Sequence, residues 1–444
     1  MNAPHPRLRS PDWHTRVLST TPRALQIQRF RIEVIGGPNR GQVAVADGEE
    51  LSVGTAPTND LVLTDSTVSR HHMAITATPF GFQLRDLSST DGTFLADYRV
   101  EVAYIDAGAV IQAGESTLRF EALDEQVTQP LSELTRFGDV LGESSAMRRV
   151  FAALERVAPT DAPVLLEGET GTGKGALAAA IHQHSARAAG PFVVVDCAAT
   201  PAHMLESELF GHEAGAFPGA EQARGGAFGA AQGGTLFLDG IGEMSAEMQR
   251  KLALALETRL VSRIGSGAPE PIDVRVVAAS NRDLRPEVNA DAFRTDLFHR
   301  LAAARVAVPA LRERPEDVAL LAAHFYRQAG GGEISPSDDL LQGLVRQPWP
   351  GNLRELRGAA ERLADQAAEE QSGGRDESWP ALDFTISFRE SKEGALAVWT
   401  RVYVRQLVDR YGGNLSRAAR AVSMDRNHLR DLLHKYAMNS ADPA

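Results

Sequence analysis

Apolar positions along the chain change rhythm twice. Over residues 27–120 they fall in short alternating runs broken by turn residues, at 30–34, 42–45, 51–53, 61–63, 73–75, 82–84, 110–112 and 117–120. Period-two alternation at that spacing predicts an all-β sandwich over 27–123. Over residues 138–372 buried-strand candidates at 164–166, 192–195, 235–238 and 274–278 alternate with helical stretches. That pattern predicts an α/β core over 138–310, followed by a helical lid over 311–372. Beyond it an amphipathic helical pattern at 396–411 precedes two short helical stretches, 414–422 and 425–436, separated by Ser423 and Met424. With Ala418 and Ala419 small enough for close packing, residues 392–438 read as an all-α helix-turn-helix. Polar residues 1–26 read as a flexible lead-in, and 124–137 and 373–391 as linkers. The expected fold class is therefore multidomain: a β-sandwich, an α/β domain with a helical lid, and a helix-turn-helix.

Composition narrows the setting. At 444 residues the chain holds about three domains of ordinary size. No apolar run reaches the roughly 18 residues of a membrane span, and Pro4, Pro6 and Pro11 among charges leave no signal-peptide core. Cys197 is the only cysteine, which points to a reducing cytoplasm; the missing apolar span gives the expectation of no membrane. A net charge of -12 argues against indiscriminate binding of nucleic acid. Residues 392–435 depart from that mean, with nine basic side chains against four acidic ones.

The densest chemistry follows the apolar run at 164–166. Gly168, Glu169, Thr170, Gly171, Thr172, Gly173 and Lys174 lead from a strand into a helical stretch. Backbone N–H groups and the helix dipole can cradle phosphates there, while the lysine reaches the outer ones. Strand, spacing and helix agree on this, against the plainer reading of a surface loop. A second element, Gly233 to Asp239, sets a carboxylate at the C-terminal end of a buried strand, where Mg²⁺ and phosphates sit in such sheets.

The sandwich carries Gly54-Thr55, Asn59-Asp-Leu-Val-Leu, Val68-Ser-Arg-His-His and Asp86-Leu-Ser-Ser-Thr-Asp-Gly-Thr, and with these it resembles the forkhead-associated (FHA) domain, a phosphothreonine reader. The resemblance implies a phosphothreonine protein or kinase as partner, with Ser69 and Arg70 sharing the phosphate oxygens. Thr55 stands where that family usually has arginine, and Asp91 where it usually has asparagine. An interaction sandwich without phosphate specificity therefore stays open. His72 is expected to brace the loop.

The α/β segment resembles the AAA+ domain of bacterial enhancer-binding proteins, which remodel sigma-54 RNA polymerase. The resemblance rests on residues 168–174, 208–217, Asp239, 293–301 and 349–356. It implies ATP and Mg²⁺ as cofactors, with Gly168, Thr170, Gly171, Thr172, Gly173 and Lys174 on the phosphates and Asp239 on the metal. Asn281 becomes the first sensor and Arg354 the second. Arg294 and Arg300 become arginine fingers for a neighbouring subunit, so a self-oligomer is implied, from a dimer to a hexameric ring.

Departures from that pattern fall at the chemistry. Gly240 stands where the family has the glutamate that polarises the attacking water, and Asp196 where it has that glutamate's asparagine partner. Gly175 offers Mg²⁺ no hydroxyl. In the loop that touches sigma-54, here Gly215, Ala216, Phe217, Pro218, Gly219 and Ala220, proline replaces threonine. Asp196 supplying the missing carboxylate from the adjacent strand is one alternative, and Glu243 is a weaker one. The C-terminal segment resembles the Fis-type DNA-binding domain, which implies DNA as partner. Asp425 would cap the recognition helix, and Arg426, Asn427, His428 and Arg430 would reach bases or phosphates; a helical dimerisation bundle is the plainer alternative. Two mechanisms remain open: an ATP-driven sigma-54 activator, or a DNA-binding regulator whose hydrolysis and polymerase contact are impaired.

Overall fold

The computed structural model describes residues 24–78, 80–335, 339–373 and 387–435. Most of the expected lead-in and second linker, and the last residues of the expected helix-turn-helix, lie outside them. The chain forms two units, Met1–Phe325 with Ile334–Ala359, and Tyr326–Glu333 with Ala360–Ala444.

In the first unit, alternation does build a sandwich. One sheet runs in the order Val43–Val45, Ala24–Gly36, Ser116–Pro130, Val110–Ala113, Thr93–Leu95, Tyr98–Val100; the other runs Leu61–Val62, Glu50–Gly54, Met73–Thr78, Gly81–Asp86, Val102–Ile105. Both contribute to one core. Phe30 and Phe120 from the first sheet meet Phe82 from the second at ring-centroid distances of 5.1 and 4.8 Å, each ring stabilising the fold by about 1.5–3 kcal/mol.

The expected linker at 124–137 is mostly not a linker. Ser116–Pro130 pairs antiparallel with Ala24–Gly36 as far as Pro130 opposite Ala24. Its outer half is largely exposed, so its polar composition disguised a strand. Leu25, Ile27 and Leu131 supply the small apolar cluster there.

The α/β domain has a five-stranded sheet in the order Phe192–Asp196, Thr235–Asp239, Arg275–Ser280, Val164–Glu167, Ala304–Ala307, with every pair parallel. All five strands thus end on one edge, where ligands bind in such sheets. Ala304–Ala307 escaped the sequence reading because it is an edge strand with one fully buried residue. Arg275, buried inside its strand, donates to the carbonyls of Val157 (2.9 Å) and Ala158 (2.6 Å) and so satisfies the end of the helix Ser145–Val157. Glu316–Gln328, Asp339–Val345 and Asn352–Gly373 are the helices expected of the lid.

In the second unit, Phe388–Arg410, Leu415–Ala421 and Arg426–Lys435 pack around Val404, Leu407, Ala418, Ala419 and Leu429. The first of them begins inside the expected linker, four residues before the expected domain start. Among the described residues no helix is long and apolar enough to cross a membrane.

Candidate functional site

At the sheet's C-terminal edge the glycine-rich loop follows Glu167 and delivers Gly173 as N-cap of the helix Lys174–Gln183, at a left-handed φ of 103°. Lys174 Nζ donates to the carbonyls of Gly168 (2.6 Å) and Glu169 (2.8 Å). Burial pushes its pKa down; Asp239 opposes that shift and Arg354 adds to it. Thr172 Oγ1 donates to Glu169 O (2.8 Å), and Asn352 Nδ2 donates to Thr170 O (3.1 Å).

The Glu169 carboxylate is clamped by both Arg312 nitrogens (2.7 and 2.6 Å) and by Asn352 (3.2 Å). Those hydrogen bonds hold its pKa down at about 2. Asn352 Oδ1 also accepts from Leu311 N–H (2.8 Å), and Arg314 donates to Thr172 O (3.0 Å). Sequence reasoning gave Asn352, Arg312 and Arg314 no role. The only available signal was Asn352 in the motif that contains Arg354.

Asp196 and Asp239 lie side by side in register on neighbouring strands. Burial pushes the Asp239 carboxyl up, Lys174 opposes, and Asp196 pushes it up further. A divalent cation would relieve that charge, and Mg²⁺ is commonly held by one or two carboxylates together with phosphates. Asp239 fits that role, and Gly175 adds no ligand. Asp196 Oδ1 accepts from the N–H groups of Ala198 (3.0 Å) and Ala199 (2.8 Å), so the side chain caps its own turn. Gly240 sits at φ 71° and ψ 37°, and a Cβ there would stand 2.9 Å from Ala198 Cβ.

Beyond this point a cavity of about 550 Å³ is lined by Glu243, Asn281, Ser245 and the turn after Cys197. Glu243 is engaged by Arg282 (2.8 Å). Arg294 and Arg300 are paired within the chain, with Asp296 (2.7 Å) and Glu257 (3.2 Å). Such exposed pairs are weak and are readily exchanged for another partner.

The loop from Gly215 to Ala220 stands on the paired Gly211–His212 and Arg224–Gly225. Gly215 N–H donates to Ala220 O (2.7 Å), and Ala220 N–H closes a turn on Phe217 O (3.0 Å). Pro218 and Gly219, at φ 102°, fill the two central positions that favour Pro and Gly in a type II turn. Proline therefore leaves no tip N–H unsatisfied; it rigidifies the turn. Ala216 packs toward Gly265, and Phe217 and Pro218 are exposed.

On the sandwich, His72 braces the two loops as expected: Nδ1 accepts from Ser69 N–H (3.1 Å) and Nε2 donates to Gly92 O (3.2 Å). Burial favours this neutral form. Ser69 Oγ accepts from Thr90 N–H (3.0 Å), and Thr55 N–H donates to Ser69 O (3.0 Å). Asp91 is exposed beside them. Arg70 instead reaches the α/β domain, donating to Val288 O and Asp291.

In the second unit Asp425 Oδ1 accepts from Asn427 N–H (2.8 Å) and His428 N–H (3.2 Å), the expected cap. Arg426, Asn427, His428 and Arg430 are all exposed, and Leu429 is buried.

Comparison with known proteins matches three stretches of the chain to families. Residues 140–307 match the family described as "Sigma-54 interaction domain", and residues 312–372 match "AAA+ ATPase lid domain". Residues 33–124 match "Inner membrane component of T3SS, cytoplasmic domain". The transcriptional regulatory protein ZraR of Escherichia coli K12 is 41% identical over 308 residues, 68% of this chain and 69% of its own length. The regulatory protein LuxO of Vibrio cholerae is 44% identical over 266 residues, 59% of this chain; the match spans about half, 49%, of LuxO. A crystal structure of NtrX from Brucella abortus in complex with ATP is 34% identical, covering 68% of this chain and 70% of that chain, with a TM-score of 0.48.

Proposed function

Because the chain belongs to the family of sigma-54-dependent transcriptional regulators, we propose that it is a cytoplasmic DNA-binding regulator that holds ATP but hydrolyses it poorly. The reading rests on one contrast: the phosphate loop is fully braced, while Gly240 offers the attacking water no group, and a Cβ there would crowd Ala198.

Each residue then has a defined task. Lys174 leaves the loop carbonyls for the outer phosphates, the N–H groups up to Gly173 receive the inner ones, and Arg354 adds a cation from the lid. Mg²⁺, when bound, neutralises phosphate charge against Asp239. Water positioning is the missing part, an effect of about 10²–10⁴-fold in rate. Arg294 and Arg300 serve a neighbouring subunit's nucleotide in an oligomer. Arg426, Asn427, His428 and Arg430 face DNA, and the sandwich, an FHA domain in this reading, takes a phosphothreonine protein through Ser69 and Arg70.

ATP binding that depends on Lys174, with phosphate release at the level of Lys174→Ala, is the expected result. In the same preparation Pro218→Thr should bind sigma-54 better than the unaltered chain, because the tip regains a hydroxyl and a free dihedral.

A second reading is favoured by the register of Asp196 beside Asp239: Asp196 positions the water and the protein is an ATP-hydrolysing activator. Comparing the unaltered chain with Asp196→Asn decides between them. Robust release that is lost in the variant supports the second reading, and equal background release excludes it.

A further inference from the structure

The rim of the sandwich that carries Ser69 and Arg70 is engaged by the α/β domain of the same unit. Arg70 Nη1 donates to the carbonyl of Val288 (2.9 Å) and to Asp291 Oδ1 (2.6 Å). Asn289 serves both loops of the rim: its Oδ1 accepts from His71 N–H (3.1 Å), and its Nδ2 donates to the carbonyls of His71 (2.6 Å) and Leu87 (2.8 Å). Around this centre Arg285 donates to Glu50 (2.7 Å) and Arg85 to Asp283 (2.9 Å). Arg149 pairs with Glu49.

Two features make the contact specific to ligand chemistry. Beside the Val288 carbonyl, the charged group that Arg70 meets in this contact is one carboxylate oxygen of Asp291, on a side chain 79% exposed. A phosphothreonine brings about -1.5 to -2 charge and three acceptor oxygens to the same guanidinium, which favours it over one exposed carboxylate. The His71 ring also lies 5.3 Å edge-on from Phe298 and 6.4 Å from His299. Both sit on the helix Thr295–Leu301, which Arg294 immediately precedes and which carries Arg300.

We propose that a phosphothreonine peptide and the segment bearing Val288, Asn289 and Asp291 are mutually exclusive partners of this rim, so that peptide capture at Arg70 undocks the sandwich from the α/β domain. The proposal rests on the phosphothreonine reading given above. Undocking withdraws His71 from the helix of the two arginines. It also removes Glu50 from a run of ion pairs that continues through Arg285 and Asp283 to Arg305 (4.0 Å), and from Arg305 to Glu167 (2.9 Å), the residue before Gly168. The occupant of the rim is thereby tied through contiguous contacts to the nucleotide loop and to the groups assigned to subunit assembly.

The test uses the full chain and a pool of phosphothreonine peptides with randomised flanks, read by fluorescence anisotropy against the unphosphorylated pool. Asn289→Ala and Asp291→Asn each weaken docking while leaving Ser69 and Arg70 themselves in place, and asparagine tolerates the left-handed backbone at 291, φ 54°. If docking occupies the rim about nine-tenths of the time, each variant binds the phosphorylated pool up to about tenfold more tightly, and Arg70→Ala binds it no better than the unphosphorylated pool. In the unaltered chain the phosphorylated pool should speed hydrogen exchange at the backbone amides of 287–291. Phosphate-specific binding that needs Arg70 but is unchanged in both variants, with exchange over 287–291 also unchanged, overturns the competition and leaves the reader standing. An absence of phosphate-specific binding in all the proteins overturns the reader, and the competition with it.

Discussion

Restoring a carboxylate at position 240 tests the catalytic reading most directly, and the backbone sets what it costs. Gly240 occupies the left-handed region at φ 71°, which costs a side-chain-bearing residue about 1–2 kcal/mol. Its new Cβ would also stand 2.9 Å from Ala198 Cβ, so the turn capped by Asp196 must shift. A well-placed water-orienting group returns about 10²–10⁴-fold in rate, about 3–5 kcal/mol. Gly240→Glu alone should therefore recover part of that rate, and Gly240→Glu combined with Ala198→Gly should recover more, because the close contact is gone. Steady-state phosphate release from ATP, with Lys174→Ala as the blank, measures each. The reasoning is refuted if the unaltered protein turns over as fast as the double variant and loses that activity in Lys174→Ala.

Arg312→Ala should return the Glu169 carboxyl, now held at about 2 by its hydrogen bonds to Arg312 and Asn352, toward its ordinary range. ATP affinity should fall by about two- to fivefold, the scale of an exposed ion pair, as read by nucleotide titration. His71 is held down at about 4 by burial and by the charges of Arg285, His299 and Arg305, with Asp283 opposing. A depressed histidine stabilises the fold fully above its ordinary value of 6.5 and loses that contribution as pH falls from there toward 4. The thermal midpoint should drop across that window, and less in His71→Gln. Arg426→Ala should weaken DNA binding: a lost phosphate contact lowers the salt slope by about one unit, while a lost base contact costs about 1–3 kcal/mol at one position of the site. Binding isotherms at several salt concentrations that match those of the unaltered protein would remove Arg426 from the interface.

Much of this organisation was legible in the sequence, for physical reasons that can be named. Sandwich strands such as Ala24–Gly36 and Gly81–Asp86 showed because buried positions recur at every second residue over much of their length, whereas the short Thr93–Leu95, Tyr98–Val100 and Val102–Ile105 did not show; the nucleotide loop showed because its glycines follow an apolar run and precede a helix. Ala304–Ala307 did not show, since an edge strand with one fully buried residue carries little pattern. The outer half of Ser116–Pro130 read as a linker because its stability comes from backbone pairing with Ala24–Gly36, to which polar side chains are indifferent. The docking of the sandwich was invisible for a different reason: Arg70 and Asp291 are 221 residues apart, and each alone is an ordinary surface charge. Arginine is mostly exposed in folded proteins, yet Arg285 is 2% exposed between Glu50 and Asp283.

The departures from the enhancer-binding pattern share a structural logic. Glu169, Arg312, Asn352 and Arg314 are bonded to one another or to the loop backbone. Removing the buried Asn352 strands the Leu311 N–H, and a buried unpaired polar group costs about 1–3 kcal/mol. Those residues keep the loop in shape whether or not ATP is split. Gly240, Asp196 and Pro218 are of another kind. Glycine is at ease in the left-handed turn it occupies, Asp196 caps the turn that follows it, and Pro218 precedes a glycine in a turn that prefers this pair. Each is locally comfortable, and none leaves a neighbour unsatisfied. Folding therefore places no demand for the catalytic residue type at these three positions, while it does demand an intact nucleotide loop. A fold with that division of constraints can lose hydrolysis and polymerase contact and still retain a nucleotide-dependent stability of RT ln(1 + [ATP]/Kd). In such a protein ATP would act on the fold by occupancy, and thermal stabilisation by ATP should match that produced by a non-hydrolysable analogue of equal affinity.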